Sequence, residues 1–171
     1  MKGYIQVYTG SGKGKTTAAL GLAIRAAGAG MKVFIGQFAK GKDYSELAAL
    51  KRFEDLITVR QYGRKTFITG VADDDDIRHA EEGLREVRDV VESGDYPMVI
   101  LDEANIAVFF KLFSVESLLD ILDSKPDHVE IVLTGRNAHP KIIERADLVT
   151  EMTEVKHYYT DGVGARRGIE E

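Results

Sequence analysis

At 171 residues and a net charge of −5, the chain has the size of one domain, 1–171, able to bury about 70% of its unfolded surface without covalent staples. Its lack of cysteine excludes a disulfide framework, a thiolate metal site and a Cys nucleophile. The acidic balance argues against a broad nucleic-acid-binding face.

The chain opens on Tyr4-Ile5-Gln6-Val7-Tyr8, whose alternation reads as a strand. Thr9-Gly10-Ser11-Gly12-Lys13-Gly14-Lys15-Thr16-Thr17 follows, and Ala18 to Arg25 has helical periodicity. Strand, Gly-rich turn and helix in that order are the context of a phosphate-binding loop. Glycines let successive backbone N–H groups turn inward around an anion, and the helix N-terminus aims its positive end at the same point. Lys15 supplies a point charge for the phosphates and Thr16 a hydroxyl for Mg2+. Thr9 stands where the common pattern has its first glycine, and Lys13 adds a second cation inside the loop. The loop is expected to bind a nucleoside triphosphate.

Gly28-Ala29-Gly30 ends the helix, and Lys32 to Phe38 reads as a buried strand with Gln37, Lys40 and Gly41 past its end. Ser45 is expected to cap a helix through Glu54 with Leu47, Leu50 and Phe53 inward. Ile57 to Tyr62 is a third strand, and Gly63 to Ala72 a loop carrying Arg64, Lys65 and Phe67. Asp73-Asp74-Asp75-Asp76 is read as the acidic first turn of a helix from about Asp75 to Glu92 rather than as a metal cluster. That helix has Ala80, Leu84, Val87 and Val91 as its apolar stripe.

Pro97-Met98-Val99-Ile100-Leu101-Asp102-Glu103 is the fourth strand. A fully buried strand carries no charges, so Asp102 and Glu103 belong at its exposed C-terminal tip, where a carboxylate can hold Mg2+ beside the phosphate loop. Ser114 or Glu116 opens a helix with Leu118, Leu119, Ile121 and Leu122 inward, closed at Lys125-Pro126-Asp127. Val129 to Gly135 is the fifth strand, Pro140 opens a short helix through Ala146, and Leu148 to Met152 is the sixth strand. The tail from Lys156 has no structure fixed by its sequence. Strands alternating with helices give a single α/β domain with a mostly parallel sheet of about six strands. The ligand candidates (Gly10 to Thr17, Gln37, Phe67, Asp102, Glu103 and Arg136) all fall just past strand ends, on one edge.

Met1-Lys2-Gly3 leads straight into the first strand, so no signal peptide is expected. The longest apolar stretch, Pro97 to Phe113, is broken by Asp102, Glu103 and Lys111 and is too short to span a bilayer. A cytoplasmic location is expected, with no membrane or nucleic-acid partner. His79, His128, His139 and His157 have no metal-ligand spacing. Were the γ-phosphate cleaved, Glu103 could orient the acceptor, with Arg25, Arg64 or Arg136 as an arginine finger. The residues alone stop at a P-loop nucleotide-binding protein. A nucleoside-kinase-like phosphotransferase and a non-catalytic ATP-dependent regulatory protein stay open.

Gly10 to Ala19 resembles the Gly-x-Gly-Lys-Gly-Lys-Thr-Thr-Ala loop of the P-loop type ATP:corrinoid adenosyltransferases. Similar segments follow in the same order: Gly21 with Arg25, Gln37-Phe38 with Lys40-Gly41, Val99 to Glu103, Leu133-Thr134-Gly135-Arg136, Ala146-Asp147, and Val155-Lys156-His157 with Gly162-Val163. The resemblance covers nearly the whole chain and implies a three-layer P-loop NTPase domain of the RecA-like kind. It implies that the Co(I) centre of a reduced corrinoid attacks the 5′ carbon of ATP and releases triphosphate. Gly10, Ser11, Gly12, Lys13, Gly14, Lys15, Thr16 and Thr17 would then hold the triphosphate, with Lys13 and Lys15 stabilising it as it leaves. Thr16 and Asp102 would hold Mg2+, Glu103 a ribose hydroxyl or the metal, and Arg25 the nucleotide. ATP lies reversed in this family's loop. Where the family has Phe-x-Trp at the corrinoid, this chain has Phe67 and no tryptophan. Bacterial relatives also carry an N-terminal extension over the site; here either the tail or a partner subunit is expected to cover it, or the site is more open. An electron-donor protein and a homodimer complete the expected partners.

Overall fold

The computed structural model describes residues 2–41, 44–64 and 72–170. Six strands form one parallel sheet in the order β3-β2-β4-β5-β1-β6. They are β1 (Ile5–Thr9), β2 (Val33–Phe38), β3 (Ile57–Tyr62), β4 (Met98–Asp102), β5 (Glu130–Thr134) and β6 (Leu148–Glu151). The helices are α1 (Lys15–Gly28), α2 (Ser45–Leu50), α3 (Asp74–Ser93), α4 (Ala104–Phe109), α5 (Val115–Ser124) and α6 (Pro140–Arg145).

Alternation along each strand sorts its side chains into two cores, because successive residues point to opposite faces. Val33 and Ile35 of β2, Met98 and Ile100 of β4 and Val132 of β5 pack with Ala19, Ala23, Ala26 and Ala27 of α1 and Leu50 of α2. Phe34, Phe38, Val99, Leu101, Ile131 and Leu133 point the other way, onto Val87 and Val91 of α3, Ala107 of α4, Leu118 and Leu122 of α5 and Ile142 of α6. The result is a three-layer α/β sandwich. Strands β2, β4 and β5 are buried along their whole length, as strands covered on both faces must be.

Several local expectations need correction. The second helix becomes a 3₁₀ turn at Lys51–Phe53, Ser45 lies inside it with Tyr44 at its cap position, and Phe53 is exposed rather than inward. α3 starts one residue earlier than expected. Asp73 caps it, accepting from Asp76 N, and the Asp76 carboxylate accepts in return from Asp73 N. Arg64 donates to Asp73 and Asp76 at 2.5 and 2.8 Å. The aspartate run is therefore a capping box with a guanidinium partner, and among the described residues no group of three or more His, Asp or Glu is arranged to hold a metal. β4 ends at Asp102, and Glu103 leaves it with φ +59° to begin α4, a helix the sequence reading does not contain. β6 is an edge strand exposed along its length, and the tail makes a 3₁₀ turn at Tyr158–Asp161 capped by His157. No helix among the described residues is long and apolar enough to cross a membrane.

Candidate active site at the C-terminal edge of the sheet

The register of the sheet lines up a polar row. Gln61 pairs with Gln37 and Gln37 with Asp102. Leu101 pairs with Leu133, which places Thr134 level with Asp102. By alternation Gln37, Asp102 and Thr134 share the face of Ile35, Ile100 and Val132, the face against which α1 packs. All three are buried, so their polar groups must find partners among themselves or on α1.

They do so around Asp102. Its Oδ1 accepts from Thr16 Oγ1 at 2.8 Å and from Thr134 Oγ1 at 2.7 Å. Its Oδ2 accepts from Lys40 Nζ at 2.7 Å and Gln37 Nε2 at 3.2 Å. Gln61 Nε2 donates in turn to Gln37 Oε1 at 3.1 Å. One carboxylate with a 1% exposed side chain thus gathers donors from the phosphate loop, β5, β2 and the loop after β2. Thr134 also accepts from Glu103 N at 3.0 Å, fixing the backbone where β4 turns into α4.

The phosphate loop joins the end of β1 to α1, with Gly14 at the helix N-cap position. Gly12 N donates to Met152 O at 2.6 Å and Met152 N to Thr9 O at 2.8 Å, tying the loop to the end of β6. Gly10 has φ +96° and so little room that a Cβ would sit 2.4 Å from Met152 O, which excludes any other residue. Lys15, 8% exposed, turns its ammonium into the loop, donating to Gly10 O at 2.9 Å and Gly12 O at 2.6 Å. Burial, reinforced by Arg136, lowers its pKa, and Glu103 opposes the shift. Burial, then Asp102, pushes the Glu103 carboxyl up against Lys40, Lys15 and Arg136. For Lys40 burial pulls downward, but the charge and hydrogen bond of Asp102 more than offset it and raise its pKa. These opposing shifts place Lys15, Lys40, Asp102, Glu103 and Arg136 in one electrostatic cluster.

The expected gathering at one edge therefore holds for the loop, Gln37, Asp102, Glu103 and Arg136. Phe67 lies outside the described residues. Arg25 stands exposed in the last turn of α1, about 15 Å along the helix axis from Lys15; it acts on Tyr8, where its charge counters the rise caused by burial and Glu130. Lys13 is engaged by the tail: its ammonium donates to Ile169 O at 2.7 Å and lies 3.7 Å from the Glu170 carboxylate. Sequence reasoning placed Lys40 at the right edge without a role and gave Thr134 and Gln61 none. Their common signal is strand parity, which becomes readable only once the register is known.

A hydroxyl and a carboxylate oxygen 2.8 Å apart at the head of the helix are hard oxygen donors of the kind Mg2+ takes together with phosphate and water. The N-terminus of α1 and the ammonium of Lys15 beside it suit an anion. Comparison with known proteins agrees with this geometry. Residues 1–170 match the family model described as ATP:corrinoid adenosyltransferase BtuR/CobO/CobP. The chain is 35% identical over 170 residues to the corrinoid adenosyltransferase of Pseudomonas aeruginosa, covering 99% of this chain and 84% of that protein. It is 36% identical over 172 residues to that of Sinorhizobium sp., covering 99% and 80%. To the corrinoid adenosyltransferase CobA of Salmonella typhimurium it is 33% identical over 178 residues, covering 99% and 86%. Matched by the family model over residues 1–170 and by these relatives across 99% of its length, the chain belongs to the ATP:corrinoid adenosyltransferase family, a family of transferases.

Proposed function

We propose that the residues around Asp102 and the phosphate loop transfer the 5′-deoxyadenosyl group of ATP to the Co(I) centre of a reduced corrinoid. Cobalt supplies the electron pair of the new Co–C bond and is oxidised formally from Co(I) to Co(III). The C5′–O5′ bond breaks, and its electrons leave with triphosphate. Co(I) is itself the nucleophile, so the chain has no proton to abstract. Its tasks are to align C5′ with cobalt and to stabilise charge on the departing triphosphate.

The observation that carries this reading is the phosphate loop with Lys15 inside it and Thr16 bonded to Asp102, in a chain matched along 1–170. Backbone N–H groups of Gly10, Ser11, Gly14 and Thr17 would hold the triphosphate, with Lys15 as its principal cation, while Gly12 N stays on Met152 O. Lys13 joins once released from the tail. Thr16 and Asp102 would hold Mg2+, which when bound supplies further charge neutralisation. Glu103, αL at the head of α4, is suited to a ribose hydroxyl. Arg25 and Phe67 keep the nucleotide and corrinoid assignments that the resemblance gives them, and a separate electron-donor protein would deliver Co(I). A phosphotransferase reading has no support beyond the loop itself. Incubation with ATP, Mg2+ and chemically reduced cobalamin tests the proposal: a light-sensitive alkylcorrinoid spectrum should grow with time, and its absence under full reduction would refute it.

A further inference from the structure

The Lys40–Asp102 ion pair stands where the proposed metal site needs a free carboxylate. Nζ is 2.7 Å from Oδ2, and the two side chains are only 14% and 1% exposed. The backbone holds Lys40 there. Ala39, just before it, is in the left-handed region at φ +53°, a strained choice for a residue with a Cβ. Gly41, just after it, presses on the neighbouring loop so closely that a Cβ would lie 2.4 Å from Gly63 O, and one on Gly63 would lie 2.6 Å from Lys40 N. The ammonium is also 5.3 Å from the centre of the Tyr44 ring. A strained residue and two tight glycine contacts thus deliver a cation to the carboxylate that Thr16 touches.

A divalent cation on Thr16 Oγ1 and Asp102 Oδ1 would meet this ammonium across the same carboxylate. Like charges a few ångströms apart in a buried site, where the dielectric is low, repel strongly. One hydroxyl and one carboxylate are also too few ligands for such an ion, which takes the rest from phosphate and water. A polyphosphate brings those ligands and gives Lys40 another anion. We propose that Lys40 is the resident counter-ion of Asp102, keeping divalent cations out of the nucleotide-free site and yielding the carboxylate when metal arrives with a polyphosphate. The inference rests on the reading of Thr16 and Asp102 as the metal site. Lys40 acts through Asp102 and is a positioning residue.

Mn2+ binding, followed by the paramagnetic resonance of the free ion, tests it on the full chain with and without ATP and with no corrinoid present. The proteins are wild type, Lys40→Gln and Lys40→Met, each with and without Asp102→Asn. Without nucleotide, both Lys40 variants should bind Mn2+ at least about tenfold more tightly than wild type, and Asp102→Asn should abolish the gain. With ATP the difference should shrink to within about threefold. If the unpaired carboxylate weakens folding of the Lys40 variants, Mn2+ should raise their melting temperature and leave that of wild type unchanged. Lys40 variants that bind Mn2+ no more tightly than wild type, with Asp102→Asn still weakening Mn2+–ATP binding, overturn the role of Lys40 and spare the metal site. A gain that survives Asp102→Asn, or Mn2+–ATP binding indifferent to it, overturns the metal-site reading as well.

Discussion

Thr16 Oγ1 donates a 2.8 Å hydrogen bond to Asp102 Oδ1 across 86 residues of sequence, although β5 lies between the strands that carry the phosphate loop and the carboxylate. The two halves of the proposed nucleotide site are therefore joined by the protein's own hydrogen bonds. Asp102 balances Lys40 while accepting from Thr16, Thr134 and Gln37. Asp102→Asn removes the anion that, among the described residues, bonds a buried ammonium, the costly way to break such a pair. The variant should lose about 3 kcal/mol of stability, read from its urea midpoint at unchanged m-value.

Thr134 ties the same node to Glu103, donating to Asp102 and accepting from Glu103 N. Thr134→Val keeps the shape and removes the hydroxyl, leaving a buried carboxylate oxygen and a backbone N–H each short of a partner. A loss of about 1–3 kcal/mol is expected, with lower turnover because the backbone of Glu103 loses its anchor. Stability equal to wild type in chemical denaturation would contradict this account of the row.

Among the described residues Lys15 bonds only to carbonyls of its own loop, so its removal should leave the fold intact. Lys15→Ala should give unchanged circular dichroism and a kcat/KM lower by about 10²–10³, the usual cost of a transition-state charge contact. Turnover near that of wild type would remove Lys15 from the triphosphate.

The tail contributes a pH-dependent element. Glu170 accepts from Arg166 Nη2 at 3.0 Å, Arg166 N at 2.8 Å and the Tyr158 hydroxyl. Arg166, then Tyr158, holds its carboxyl down at about 2. A depressed carboxylate stabilises the folded tail above its ordinary value of 4.5 and loses that contribution as pH falls toward about 2. Carbon NMR titration of Glu170 should give a midpoint near 2, and Arg166→Ala should return it toward 4.5.

The central parts of this site were legible in the sequence because their chemistry is local. Gly10 to Thr17 is a contiguous loop between a strand and a helix, and Asp102 ends a run too apolar to carry a charge inside. Lys40, Thr134 and Gln61 were not assigned because their roles depend on which strands are neighbours and in what register, and no contiguous pattern carries that. The direction of Lys13 depends on Ile169 and Glu170, which lie in a tail with no periodicity. α4 was hidden inside an apolar stretch read as strand and connection, since a short buried helix and a buried strand share one hydrophobic signature. Phe53 turned outward because the chain tightens to a 3₁₀ turn at Lys51, shifting the helical phase.

The central claim is that the phosphate loop holds a leaving triphosphate and not a transferred phosphoryl group. Phosphorus NMR of a reaction containing ATP, Mg2+ and reduced cobalamin tests it most directly. The account predicts inorganic triphosphate rising in step with alkylcorrinoid and no ADP; ADP with orthophosphate as the only products would contradict it.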